Sequence, residues 1–349
     1  MNVTTNTPAA SAALLRETAT VERAGARAAA RLAQVQTLLG DDLAVVDREL
    51  ARMTREGVSP ATDSATHLLE AGGKRVRPLT VLLASACFGP VPAGARDVAV
   101  AAELVHLATL LHDDVIDDGQ QRRGLTTPRR IWGNAVSVLA GDLLLTHALE
   151  RTATAAPPAV LADLFATLRR LVDGEVVQLR GRAQLDVREE VYFRVVQDKT
   201  ASLFAWAARA GACVAGASHE AVEALGEFGA RVGVAFQLVD DVLDYAGDPA
   251  ATGKAVLGDL LEGKLTLPLL RAMAARPALG DDVAAVRAGD EAAAARVAEA
   301  VRASGACDDV RALAVEETTR ARQALAAVPA GTPRELLASI AAELAARAA

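Results

Sequence analysis

The chain is poor in aromatic residues, with two Trp, two Tyr and six Phe among 349. That scarcity argues against a β-rich fold, whose strands draw on aromatic and β-branched side chains. Cysteine is also sparse: Cys87, Cys213 and Cys307 share neither a disulfide framework nor metal-knuckle spacing, and read as small buried side chains in a reducing compartment. Uninterrupted apolar runs fall short of the ~18 residues a membrane span requires. Even Val98 to Leu111 is broken by Glu103 and His106. No basic segment followed by a compact apolar block opens the chain, and Glu17 and Glu22 weaken an Arg-bearing presequence, so a soluble, cytoplasmic protein is expected. Positive charge is not in excess either. A net charge of −7 excludes a general nucleic-acid binder, so any anionic substrate must be held by local basic clusters.

Apolar residues make up 52% of the chain, and Ala, Leu, Arg and Glu dominate, which favours an all-α fold with a substantial core. Residues 1–12 are expected to be disordered and 13–349 to form a single helical domain. Leu38, Leu39, Leu43, Val46 and Leu50 fall at spacings that make one apolar stripe. After a break at Gly57 to Pro60, the pattern predicts a helix entering through Asp63 or Ser64 and closing at Gly72-Gly73. Pro78 suits the first turn of the next helix. Further stops stand at Gly89-Pro90, Gly119, Gly133-Asn134, Pro157-Pro158, Gly216 and Gly247 to Pro249. No strand alternation, fixed-period repeat or polar linker interrupts this sequence of helices.

The strongest local signal is His112-Asp113-Asp114-Val115-Ile116-Asp117-Asp118, directly after an apolar run. Asp113 and Asp117 lie one helical turn apart, where like charges destabilise a bare helix and invite a cation between them. Magnesium suits, since it takes oxygen ligands and is usually held by one or two carboxylates plus substrate phosphates. A solvated acidic helix end is the alternative for such a motif in isolation. The pattern returns at Val239-Asp240-Asp241-Val242-Leu243-Asp244, with Asp240 and Asp244 again one turn apart. Facing each other, the two helices would clamp a diphosphate through magnesium. Basic residues come in clusters as well: Lys74, Arg75 and Arg77 on a glycine-punctuated loop, Arg122-Arg123 after the first aspartate motif, then Lys199, Lys254 and Lys264. Singly each reads as a solvated surface charge; together with two carboxylate motifs they describe a site for two diphosphates.

In order along the chain stand GGKRVRP at 72–78, LLHDDVIDDGQQRRG at 110–124, GEVVQL at 174–179, DKTASLF at 198–204, FQLVDDVLDY at 236–245, TGK at 252–254 and DLLEGKLTLPLL at 259–270. This ordered set resembles the trans-isoprenyl diphosphate synthases, the polyprenyl synthetase family, and within it the long-chain, octaprenyl type. The resemblance implies an all-α bundle around a deep central cavity, usually as a homodimer. It implies that Asp113, Asp117, Asp240 and Asp244 bind magnesium, about three ions arriving with the diphosphate. It places isopentenyl diphosphate on Lys74, Arg77, His106 and Arg123, and the allylic diphosphate on Arg122, Lys199, Lys254 and Lys264. Lys199, Thr200 and Gln237 then line the reacting end. His106 alone would pass for a core histidine, but it lies two turns before Asp113 on the same stripe.

The chemistry implied is ionisation of the allylic diphosphate, attack by the double bond of isopentenyl diphosphate on the resulting cation, and loss of a proton, with no side-chain nucleophile. Chain length is expected to depend on Ala108 and Thr109, about one turn before Asp113, where small residues leave room for a growing chain. Ala108 can also be read as one more alanine in an Ala-rich protein, with the floor set deeper, at Leu164, Phe165 or Leu168. The expected product is about C40, within roughly C35 to C50, for quinone side chains, on the argument that filling the tunnel shortens it. Rival readings are a short-chain farnesyl or geranylgeranyl synthase, a terpene cyclase, and the non-catalytic subunit of a heteromeric synthase. The GGKRVRP cluster weighs against the cyclase, and two intact aspartate motifs against the silent subunit.

Overall fold

The structure, a computed structural model, describes residues 8–246 and 257–346. In chain order the helices are α1 (Pro8–Met53), α2 (Ala61–Glu70), α3 (Val76–Ala86), α4 (Ala93–Ile116), α5 (Pro128–Trp132), α6 (Asn134–Ala155), α7 (Pro158–Gln184) and α8 (Glu189–Val195). A π-helical turn (Val196–Ala201) follows, then α9 (Ser202–Val214), α10 (His219–Ala246), α11 (Gly258–Leu261), α12 (Leu267–Ala275), α13 (Leu279–Arg287), α14 (Glu291–Ala303), α15 (Ala306–Ala324) and α16 (Thr332–Ala346). Helix α1 begins at Pro8, inside the stretch 1–12 expected to be unstructured, as suits the helix-favouring alanines at 9, 10, 12 and 13. Residues 1–7 lie outside the described residues.

The fold centres on α4. From Val98 to Val105 every side chain is buried, because the helix is apolar on all sides and packs on α1, α3, α6 and α9. The one charge in that stretch, Glu103, is matched by Arg75, whose Nη1 donates to it at 2.8 Å. Helix α10 joins two apolar clusters. Leu225, Phe228 and Val232 belong to the cluster around α4 and α9, while Leu238, Val242 and Tyr245 belong to a second one with α12 to α15. Helix α9 packs against both α4 and α10 and so ties the motif-bearing helices into one framework. The approach of α10 to the π-turn requires glycine: a Cβ on Gly233 would stand 2.5 Å from the Ala201 Cα.

Three local expectations differ from the structure. The Arg-rich segment after α4 contains a hairpin, β1 (Gln121–Arg122) paired antiparallel with β2 (Leu125–Thr126). Its two-residue strands are too short to alternate visibly, and Arg123 and Gly124 turn the chain with φ of 53° and 79°. Of the α1 stripe, Leu39, Val46 and Leu50 are buried and Leu43 packs against the core, but Leu38 is 38% exposed because it sits about 100° round the helix from Leu39. On α7, Leu164 is buried and Leu168 packs on the core, whereas Phe165 is 52% exposed and lines no enclosed floor within this chain.

Candidate active site

Both aspartate motifs occupy helix C-termini. Asp113 and Asp114 lie in the last turn of α4 and Asp117 is its C-cap, while Asp240, Asp241 and Asp244 lie in the last turns of α10. A carboxylate there opposes the helix macrodipole and costs about 0.3–1 kcal/mol apiece when exposed. The fold offsets this with cations from other elements. Lys199 of the π-turn places Nζ 3.4 Å from Asp113 and also pairs with Glu175 of α7. Asp117 is held from two directions, by Arg182 of α7 at 2.7 Å and by Lys264, just before α12, at 3.3 Å. Burial would raise the Asp117 pKa, but Lys264 and Arg182 outweigh it and hold the carboxyl below its ordinary range. Asp113, by contrast, is pushed up by burial, with Glu175 and Asp117 adding to it against Lys199.

Lys264 joins the end of α4 to α11. Its Nζ lies 3.3 Å from Asp117 at the end of α4 and 3.4 Å from Asp259 on α11, with Glu262 also in contact. The segment carrying Asp259 returns to α10, where the Leu257 N–H donates to the Asp244 carbonyl at 2.9 Å. Burial works to lower the Lys264 pKa, but Asp259, Asp117 and Glu262 raise it, so the ammonium stays charged. The end of α4 is therefore tied through Lys264 to α11, and the Leu257–Asp244 bond ties that segment to the end of α10.

The middle aspartate of each motif is buried and tied into the protein. Asp114 accepts from Arg122 Nε at 2.8 Å. Asp241 accepts from the Tyr192 hydroxyl at 2.6 Å and from Gln237 Nε2 at 2.8 Å. Burial and neighbouring Asp259 push the Asp241 pKa up to about 8, against the pull of those two hydrogen bonds. Gln237 in turn accepts from Thr200 Oγ1 at 2.9 Å, so Lys199, Thr200 and Gln237 do converge at one edge of the site. Among the described residues no three His, Cys, Asp or Glu side chains converge closely enough to cage a metal unaided. The carboxylates fit an ion such as magnesium that completes its shell with water and a ligand's phosphate oxygens.

A second cationic cluster stands beside His106. Burial, with Arg77, Arg123, Arg122 and Arg75 around it, drives the His106 pKa well below its ordinary value, so the ring is neutral. Arg77 is likewise depressed to about 10 by burial and by Arg123, with Glu103 partly compensating. Its guanidinium lies 4.6 Å over the Phe204 ring, and its Nε is buried without a hydrogen-bond partner. Gly73 makes room for this crowding: a Cβ there would stand 2.8 Å from Arg75 Nη1 and 3.1 Å from Arg123 Nη1. Positive charges packed this tightly are stabilised by an anion among them.

Of the residues singled out in the sequence, Asp113, Asp117, Lys199 and Lys264 are joined by ion pairs, Arg122 holds Asp114 and Thr200 holds Gln237, while Arg77, in the first turn of α3, and Arg123 stand beside His106. Asp240 and Asp244 lie in the last turns of α10. Lys254 lies outside the described residues. Ala108 is sealed in the core, whereas Thr109 is partly open and its hydroxyl donates to the His106 carbonyl at 2.7 Å. Sequence reasoning missed Arg182, Tyr192 and Asp259. Arg182 had one signal, its position seven residues after Glu175 of the GEVVQL segment and hence on the same helix face.

Residues 59–304 match the family described as polyprenyl synthetase. Component 2 of heptaprenyl diphosphate synthase from Geobacillus stearothermophilus is 41% identical over 245 residues, 70% of this chain and 76% of its own. Nonaprenyl diphosphate synthase of Mycobacterium tuberculosis is 43% identical over 247 residues, 70% of either chain. The crystal structure of a polyprenyl synthase from Caulobacter crescentus, complexed with calcium and isoprenyl diphosphate, superposes with a TM-score of 0.85 at 39% identity, covering 90% of this chain and 97% of that one.

Proposed function

We propose, from the premise that this chain belongs to the polyprenyl synthetase family of prenyltransferases, that it makes a long-chain trans-polyprenyl diphosphate by adding isopentenyl diphosphate repeatedly to an allylic diphosphate. The observation that carries this reading is the pairing of two unlike anion environments: the carboxylates Asp113 and Asp117 at the end of α4, held by Lys199, Lys264 and Arg182, and an arginine cluster around neutral His106 with Glu103 as its main counter-charge. The first suits a diphosphate that arrives with magnesium. The second suits a diphosphate that needs none.

Asp113, Asp117, Asp240 and Asp244 would hold magnesium, which when bound neutralises charge building on the departing diphosphate. Lys199, Lys264 and Arg122 would take the phosphate oxygens of the allylic substrate and Arg182 would orient Asp117. Lys74, Arg77 and Arg123 would anchor isopentenyl diphosphate with its double bond toward Thr200 and Gln237. The apolar wall of α4 and Phe204 excludes water from the allylic cation. Thr109, partly open beside His106, sits where the chain enters the bundle, and Ala108 behind it leaves the wall thin. We place the product at about C40 within roughly C35 to C50, on the small volume of these two side chains.

The exposed face of α7 supports a homodimer. Phe165, Val172, Val176 and Leu179 are 52, 63, 50 and 39% exposed, and their spacings put them on one stripe of the helix that a second copy would cover. A second reading, the catalytic half of a two-component synthase, is favoured by the name of the Geobacillus relative. Light scattering of the purified chain, followed by an assay with isopentenyl and farnesyl diphosphates, separates the two. A dimer active alone supports the homodimer; a chain that turns over only with a second protein supports the heteromer.

A further inference from the structure

Tyr192 lies on α8, outside every motif that carries the family resemblance, yet it is buried and bonded into the reacting edge of the site. Its hydroxyl donates to Asp241 Oδ2 at 2.6 Å. The other oxygen of Asp241 accepts from Gln237 Nε2 at 2.8 Å, and Gln237 Oε1 accepts from Thr200 Oγ1 at 2.9 Å. These bonds run in one direction. With Nε2 on Asp241 Oδ1, the amide of Gln237 turns its acceptor, Oε1, to Thr200. The Thr200 proton is thereby spent on Gln237, and the hydroxyl has only lone pairs to offer a substrate.

We propose that Tyr192 is a positioning residue for the prenyl transfer: through Asp241 and Gln237 it fixes Thr200 as a hydrogen-bond acceptor toward the reacting end of the allylic substrate. This rests on the prenyl-transfer reading above. An oxygen that presents lone pairs complements positive charge developing on the allylic carbon, whereas a hydroxyl free to rotate also samples orientations that point its proton there. The local backbone keeps the chain in register. Thr200 sits in the π-turn, a backbone form that recurs at functional sites, and that turn is clamped between α7 and α10 by Gly174 and Gly233.

Tyr192→Phe removes one hydroxyl and keeps the ring that packs edge-on to Phe193. The test is a double-mutant cycle measured on the full chain. In the wild-type background Tyr192→Phe is expected to lower kcat about 10-fold with KM for both diphosphates unchanged, since the group acts on the transition state alone. In a Thr200→Val background, where no hydroxyl remains to orient, the same change is expected to alter kcat by less than about 2-fold. Gln237→Met cuts the chain in the middle, so adding Tyr192→Phe to it is expected to cost nothing further. Equal losses in all three backgrounds, or a loss confined to KM or to the folded fraction, would overturn the positioning role while leaving the prenyl-transfer reading intact. A wild-type chain that turns over no isoprenyl diphosphate would overturn both.

Discussion

Replacing Gly174 with alanine isolates the geometry of the site from the stability of the fold. Gly174 lies in the middle of α7, where exchange for alanine would ordinarily stabilise a helix by about 1 kcal/mol. Here the new Cβ would stand 2.8 Å from the Lys199 N and 3.0 Å from the Asp198 Cβ. One of these contacts is main chain and the other is a Cβ fixed to it, so neither can rotate aside. Restoring ordinary contact near 3.5–4.0 Å requires α7 and the π-turn to part by roughly 1 Å. Overpacking of this kind costs about 1–3 kcal/mol, so the net loss of stability after the helix gain is about 0–2 kcal/mol. The site pays more. Lys199 contacts Asp113 at 3.4 Å and Glu175, the residue next to Gly174, so the shift acts directly on that triangle. A displacement near 1 Å at a reacting centre lowers turnover about 100-fold. The assay pairs thermal unfolding with steady-state kinetics. Gly181→Ala on the same helix serves as control, because its Cβ would meet nothing closer than Val191 Cγ1 at 4.0 Å and should leave kcat unchanged. Full turnover in Gly174→Ala would refute the argument that contact between α7 and the π-turn sets the position of Lys199.

Three further outcomes are expected. Asp113→Asn should cut kcat by at least about 100-fold without lowering the melting temperature, because its burial and its Glu175 neighbour already disfavour the ionised form; an undiminished kcat at high magnesium would exclude Asp113 as a ligand. Arg77→Met should raise KM for isopentenyl diphosphate by about 10-fold or more with kcat little changed, whereas Lys199→Ala should depress kcat with either substrate saturating, and identical profiles would dissolve the division into two sites. Thr109→Phe should shorten the product by filling open space, and Ala108→Tyr should do so at the added cost of about 1–3 kcal/mol in overpacking, since Ala108 is sealed; unchanged products from both would place the chain elsewhere.

What could be read in the sequence followed from features that are local. Helix α4 is apolar all round and ends in a run of aspartates, so both its central place and its chemistry stand in consecutive residues. The same holds for α10, whose apolar lead-in and Asp240, Asp241 and Asp244 lie within one segment. The hairpin at 121–126 was hidden because two paired residues per strand give no periodicity, and its turn uses Arg123 in a left-handed conformation rather than the usual Asn or Asp. Arg182, Tyr192 and Asp259 acquire their meaning only from partners 65, 49 and 5 positions away, of which only the last is near in sequence. Phe165 illustrates the converse: a large apolar residue next to buried Leu164 suggests an inner wall, yet the helix turns it outward, onto an exposed apolar stripe with Val172, Val176 and Leu179.

The account stands or falls on the products of the chain acting alone. Purified protein incubated with isopentenyl diphosphate, farnesyl diphosphate and magnesium, with the dephosphorylated products resolved by chromatography, should yield a main species of about C40 within roughly C35 to C50, as the small side chains at Ala108 and Thr109 allow. A chain that makes nothing without a second protein, or whose products stop at about C15 to C20, a length set by a closed tunnel, would contradict it.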